Sequence, residues 1–489
     1  MRRRLLTLAD LPALLAFLAI AWLFVQSVAG RVGYPYDLEW MEGGMLLHAR
    51  RVMDGLPLYS APSLDWIPFL YPPLYPWVVA AVSEVTGLSY EPARLISVVG
   101  VVAASLAIVR AVRVEGGSWL LGLGGAALFL SCYEDSGTFY DLVRTDGLLA
   151  GLWAWSLVSV RAGRPVLGGL LLFLAFCAKH NAAAFGLPAV LWLWWAQGRG
   201  PALRFSLASV LPALAFVGAM QWSSDGLFLT YLLEVPSHHP FVLDRFFPGS
   251  PLELWRALRW GLVLLAGAVV LAPLLRRLDA DPAAERRWRQ GVVYWGAQCA
   301  LAVLLSMVMR GHHGGYLNVL VPAHWALSLA IALGVHALRR RWEHSLLVLL
   351  TSVTIAVQVD AGRWELDEVL PTDADRAAGD ALIDRLRDAP EPLLIPHSPW
   401  YAVLAGKQPG FHLIALWDID HGGALSPFVE ELDAALTEGH WKTIVLPNSK
   451  FRPPLRDTYR QVDTVRYTGR SFYPKTGWQV RPRFIYAPK

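Results

Sequence analysis

The sequence describes a polytopic α-helical membrane protein that carries a small soluble α/β domain at its C-terminus. Hydrophobic residues make up 55% of the chain and charged residues 17%, where an ordinary soluble domain is about 25% charged. The apolar residues are gathered into long runs between Leu11 and Val359. From Asp360 onward charges and prolines return, and short β-like runs alternate with helical ones. The net charge of +4 is spread over short arginine clusters, which argues against a nucleic-acid partner. Cys132, Cys177 and Cys299 lie in apolar runs without CxxC spacing and read as packing residues.

The first span is Leu11–Gly30. It has the order of a signal peptide but is too long for one and lacks a cleavage motif, so a retained helix is expected. Arg2, Arg3 and Arg4 then place the N-terminus in the cytoplasm. Further spans are expected at Arg94–Val112, Trp119–Cys132, Gly147–Val160, Val166–Ala178 and Ala182–Ala196. The series continues with Phe205–Trp222, Arg259–Leu275, Val292–Met309, Tyr316–Leu338 and Ser345–Val359. The total is about eleven, within a range of about 11–13. Leu74–Gly87 is short, carries Glu84 and follows Pro72-Pro73, so it reads as interfacial or re-entrant. With that reading every arginine-rich loop (110–113, 161–164, 197–204, 276–289 and 339–344) falls on the cytoplasmic side.

The domain organisation that follows is a membrane domain, 1–360, with an external acidic loop, 31–73, and an extracytoplasmic α/β domain, 361–489. Helices are expected in that tail at Gly379–Asp388, Pro399–Gly406 and Phe428–Glu438, with strands at Leu393–Pro396 and Thr443–Pro447. The tail has no glycine-rich phosphate loop and no catalytic constellation, so a structural or acceptor-facing role is expected. The compartment is an integral membrane location, the bacterial inner membrane.

Chemistry is expected in the outer loops. The stretch Tyr34–Tyr75 holds five carboxylates, and three of them, Asp37, Glu39 and Glu42, fall within six positions. An acidic external loop is often merely solvated. Here the acids are interleaved with Trp40, Met41 and Met45 and precede an amphipathic run, which places them at the membrane interface. Carboxylates there can serve as a general base toward an acceptor hydroxyl, and Asp37 and Glu39 could also hold a divalent cation (Mg or Mn). Glu42 and Asp37 are the favoured bases. Lys179, beside His180 and Asn181, puts positive charge on the outer side against the orientation rule, and a lipid-linked phosphate would explain it. Arg144 and Asp146 read equally as a structural ion pair or as groups that orient the site. His312 and His313, next to Tyr316 and Asn318, lack metal spacing and suit a phosphate or interface contact better.

Four motifs occur together: the acidic loop ending in YPPLY (71–75), RTDGLLAGLWAW (144–155), LAFCAKHNAAAF (174–185) and GGYLNVLVPAHWALSLA (314–330). In this combination the chain resembles the integral-membrane glycosyltransferases of the GT-C fold, the superfamily of protein O-mannosyltransferases and lipid A aminoarabinose transferases. That resemblance implies an inverting glycosyl transfer from a polyprenyl-phosphate sugar donor to an extracytoplasmic acceptor. It implies Glu42 or Asp37, with Glu39 beside them, as the catalytic acids. Lys179, with His180 and Arg144, would contact the donor phosphate, and Asp146, Tyr71, His312, His313, Tyr316 and Asn318 would contact substrate. A transporter or flippase of a lipid-linked sugar ranks second, because charges collect at outer helix ends and no repeat is visible. A non-catalytic envelope assembly protein ranks third.

Overall fold

The computed structural model describes residues 8–274, 282–341 and 344–489. The helices used below are α1 (Leu11–Arg31), α2 (Glu42–Met53), α3 (Leu74–Thr86), α4 (Tyr90–Val114), α5 (Trp119–Ser131), α6 (Thr145–Arg161) and α7 (Pro165–Ala178). They continue with α8 (Gly186–Gln197), α9 (Arg199–Ser223), α10 (Ser250–Leu274), α11 (Pro282–Gly311), α12 (Val321–Arg341), α13 (Ser345–Ala361) and α14 (Asp373–Arg387).

Among the described residues, six helices are long and apolar enough to cross a membrane, or seven if the bent pair Ser345–Ala361 and Leu366–Arg387 counts as one. The protein is therefore an integral membrane protein, but the sequence count of eleven does not appear as eleven full-length spans. The other expected spans fall on α5, α6, α7, α8 and α13, which have 13, 17, 14, 12 and 17 residues. At 1.5 Å per residue these reach ~18–26 Å of a ~30 Å hydrocarbon core. Polar breaks shorten them: Lys179 ends α7, and a 3-10 turn, His180–Phe185, separates it from α8. The interfacial segment expected at Leu74–Gly87 is α3, 13 residues long. Leu227–Ser237 is an apolar helical stretch where the sequence suggested only loop.

Close packing explains several glycines. A Cβ on Gly147 would meet the Ser97 carbonyl oxygen at 2.4 Å, and one on Gly151 would meet that of Gly100 at 2.8 Å. Small residues thus let α4 and α6 approach backbone to backbone. Arg161, Arg287, Arg339 and Arg340 gather at one end of the bundle, where Arg161 pairs with Glu115 at 2.7 Å and Arg339 with Asp10 at 2.7 Å.

The C-terminal part holds a four-stranded sheet in the order β1-β2-β4-β3. Strand β1 (Leu393–Leu394) runs parallel to β2 (Thr443–Leu446), and β4 (Phe484–Pro488) is antiparallel to both β2 and β3 (Tyr459–Thr464). The last two strands had no clear sequence signature, because Pro482, Pro488 and exposed charges interrupt their apolar alternation. This part is not a separate ball. One continuous apolar cluster joins Trp40, Met45, Phe69 and Tyr75 to Trp400, Leu413, Leu432 and Trp441.

The acidic loop is held from within by Arg94, which is fully buried. Its guanidinium donates to both Glu42 carboxylate oxygens, at 2.9 and 2.7 Å, and to the carbonyls of Arg31 (2.9 Å), Tyr34 (2.6 Å) and Tyr36 (2.8 Å). Every turn of the chain between α1 and α2 is thereby fastened to one side chain. Removing either partner strands a buried charge, which costs about 3–5 kcal/mol. Arg94→Ala and Glu42→Gln are therefore expected to lower the thermal unfolding midpoint of the detergent-purified protein sharply, and a midpoint unchanged in both would contradict this role.

Candidate active site

At the end of the bundle opposite Arg161 and Arg339 lies a cavity of about 540 Å³. Helix ends supply one side, through Glu39, Tyr71, Arg144, Lys179 and His180, and the turn before α12 adds His312, His313, Tyr316 and Asn318. The C-terminal part closes the other side with Asp418, Gly477 and Trp478.

Two ion pairs organise the charge. Arg144 lies 3.2 Å from Glu39 and donates to the Tyr71 hydroxyl at 3.1 Å. Lys179 Nζ donates to Asp146 at 3.0 Å, and Asn318 donates to the other Asp146 oxygen at 3.0 Å. Arg144 and Asp146 are thus not partners of each other: each is paired across the cavity wall. Lys179 is not a lone cation either, because Asp146, itself behind the lining, holds its ammonium and the Asn318 amide in place.

The acidic triplet divides into different roles. Glu42, the favoured base on sequence grounds, cannot reach a substrate: its oxygens accept from Arg94, from the Val143 amide at 2.8 Å and from the Leu38 amide at 2.7 Å, and it is fully buried. Asp37 is also behind the wall. It accepts from the Gly43 amide at 2.9 Å and the Tyr90 hydroxyl at 2.8 Å. Burial, aided by the nearby Glu42, pushes its carboxyl up to about 8, so it holds a proton at neutral pH. Only Glu39 lines the cavity. Burial raises its carboxyl to about 7, with the Arg144 guanidinium pulling the other way. This is the range in which a carboxylate works as a base at neutral pH. Asp37 and Glu39 do not suit a divalent cation, since burial beside Glu42 keeps one protonated behind the wall and the other is engaged by Arg144. Among the described residues no group of three or more His, Cys, Asp or Glu side chains converges on a metal position.

The C-terminal part sets the position of Glu39. The α14 capping box, Thr372 and Asp375, also fixes the segment beyond β3: Asp375 accepts from the Phe472 amide at 2.6 Å and pairs with Lys475 at 2.9 Å. The amides of Lys475 and Thr476 then donate to the Leu38 carbonyl at 2.8 and 3.2 Å. Gly477 follows with φ +73°, and a Cβ there would meet Glu39 Oε1 at 2.8 Å. His412 bonds the Trp40 carbonyl at 3.0 Å, and Trp40 packs edge-on to Trp478 with centroids 5.1 Å apart.

Of the residues singled out in the sequence, Glu39, Tyr71, Arg144, Lys179, His180, His312, His313, Tyr316 and Asn318 meet at this cavity. Sequence reasoning missed Asp418, Gly477 and Trp478, which reach it from a tail without a motif. His239 and Arg245 also line it, from the segment between α9 and α10. Burial raises Asp418 to about 8. The His239 ring stands 5.0 Å from both His312 and His421.

Helix order, the loop-borne acids and the outer cavity together define a GT-C-type integral-membrane fold. No protein-family model and no curated protein sequence matches the chain. Its solved structural neighbours include ArnT, an aminoarabinose transferase, from Cupriavidus metallidurans. The apo structure aligns over 97% of both chains with a TM-score of 0.60 at 15% identity. The structure bound to undecaprenyl phosphate aligns over 97% of both chains with a TM-score of 0.60 at 13% identity. At that identity the likeness establishes the fold.

Because Gly477 leaves room for Glu39, Gly477→Ala is expected to displace the Glu39 carboxylate while the sheet and helices persist. The check is a structure of the variant: Glu39 unmoved from Arg144 would refute the packing argument.

Proposed function

We propose that the protein is a glycosyltransferase that moves a sugar from a polyprenyl-phosphate donor to an extracytoplasmic acceptor, with inversion at the anomeric carbon. One observation carries the reading: a carboxylate of raised pKa, Glu39, faces a cavity between two ion pairs, in a chain with the fold of a protein solved with undecaprenyl phosphate bound. The topology that goes with it has a cytoplasmic N-terminus, about eleven crossings counting the short helices, and residues 361–489 outside with the acidic loop.

In this mechanism the donor phosphate approaches Arg144 and Lys179, with His180 beside them. Their fixed positive charge stabilises the departing phosphate. The acceptor hydroxyl oxygen attacks the anomeric carbon from the face opposite the phosphate. The bond between that carbon and the phosphate oxygen breaks with its electron pair, and the hydroxyl proton passes to Glu39. The products are the glycosylated acceptor and polyprenyl phosphate. Arg144 links the two halves of the step. As it turns toward the phosphate, Glu39 loses its counter-ion and becomes more basic when the base is needed. Asp146 is a positioning residue that holds Lys179 and Asn318.

Glu39→Gln is expected to reduce transfer about 10²–10⁴-fold, the usual range for a lost general base. Binding of the donor lipid should persist. The assay is sugar transfer from a radiolabelled polyprenyl-phosphate sugar in proteoliposomes, and full activity in this variant would sink the mechanism. Since Glu39 acts deprotonated, kcat/KM, which reports the free protein, should be flat above about 7 and fall as the pH drops through that value. A profile still flat at pH 5 would exclude Glu39 as the base.

A further inference from the structure

The bundle has a second, unassigned pair of cavities at its other end. The two ends are distinct along single helices: α6 carries Asp146 at the outer site and Arg161 at this one, and α11 carries Met309 and Arg287 in the same way. The first chamber, about 710 Å³, is lined by Arg161, Arg287, Arg339, Arg340, Trp119 and His336. Two carboxylates share that lining and each already has a partner: Glu115 with Arg161, and Asp10 with Arg339. Arg340 lies over the Trp288 ring at 5.5 Å and makes a longer ion pair with Glu285 at 3.7 Å, and Arg287 is exposed.

The second cavity, about 650 Å³, adjoins the first, and Glu115 and Trp288 line both. It is an apolar groove between α10, α11 and α12, walled by Leu265, Ala268, Val292, Gly296, Leu333 and Gly334. Nothing lies within 4 Å of a Cβ placed on Gly296, so the groove is open there. A cationic chamber that runs into an apolar groove has the shape and polarity of a phospholipid.

We infer that this paired site binds an anionic glycerophospholipid, with the headgroup phosphate at Arg287 and Arg340 and one acyl chain along Gly296. Charge selects the headgroup, since among the described residues four arginines line the chamber against two carboxylates, Asp10 and Glu115. The groove selects a lipid over a free anion. The chamber is also larger than a bare phosphate needs, which favours a glycerol headgroup over a polyprenyl phosphate. The site does not depend on the glycosyltransferase reading, and its test does not use transfer.

The test is native mass spectrometry of the full-length protein in detergent, titrated with palmitoyl-oleoyl phosphatidylglycerol. The wild type should retain one lipid and bind it about tenfold or more tightly than phosphatidylcholine of the same chains. The double variant Arg287→Ala/Arg340→Ala should lose about tenfold or more in affinity, and Gly296→Leu should do the same by filling the groove. Thermal unfolding without lipid identifies a variant that fails to fold, and the other variant then decides. Equal binding of phosphatidylcholine overturns the proposal on the wild type alone. Displacement by millimolar inorganic phosphate would mark a free-anion site and overturn it too. Preference for undecaprenyl phosphate, or wild-type affinity in both variants, would do the same.

Discussion

A single buried guanidinium sets the geometry of the cavity end of the bundle. Arg94 sits near the start of α4 and reaches back to the loop that joins α1 and α2, where it satisfies the Glu42 carboxylate and three backbone carbonyls. A charge there could stay buried only because all these acceptors converge on it. The same convergence gives the loop one conformation. With Glu42 locked to Arg94, the backbone turns so that Leu38 meets the C-terminal segment and Glu39 points the other way, into the cavity. Glu42 is thus the anchor, and Glu39, three residues earlier, is the acid of the three that lines the cavity.

Two carboxylates at the cavity are each held by a cation, Glu39 by Arg144 and Asp146 by Lys179. The pairing has a chemical consequence. On the proposed reading, a phosphate that draws Arg144 toward itself leaves Glu39 more basic, so binding and the gain in basicity are coupled. An isolated lysine would have bound the anion without changing anything else.

Much of this was legible in the sequence, because the frame follows from composition and the orientation of arginines. The gathering of Lys179, Arg144 and the 312–318 turn at one end came from topology alone. What could not be read was which of three neighbouring carboxylates faces inward. That depends on Arg94, which at the head of an apolar run looks like an ordinary snorkelling residue. The partners of Arg144 and Asp146 stayed open for a similar reason: two residues apart in sequence, they pair with Glu39 and Lys179, which come from other parts of the chain. The tail residues Gly477 and Trp478 carry no local pattern, and their position follows only from the hydrogen bonds between Leu38 and the 475–476 amides. Of the expected spans, six or seven among the described residues are long and apolar enough to cross a membrane, and polar breaks such as Lys179 shorten others.

The bridge between Glu39 and Thr476 also bears on how the protein comes into being. The first half of the cavity is synthesised early and its last wall very late, so the nascent chain carries the acidic loop through membrane insertion without the segment that seats it. The seating of Glu39 therefore waits for the 472–478 segment. A chain stalled before it would lack the hydrogen bonds to Leu38 and the Gly477 contact that position the carboxylate.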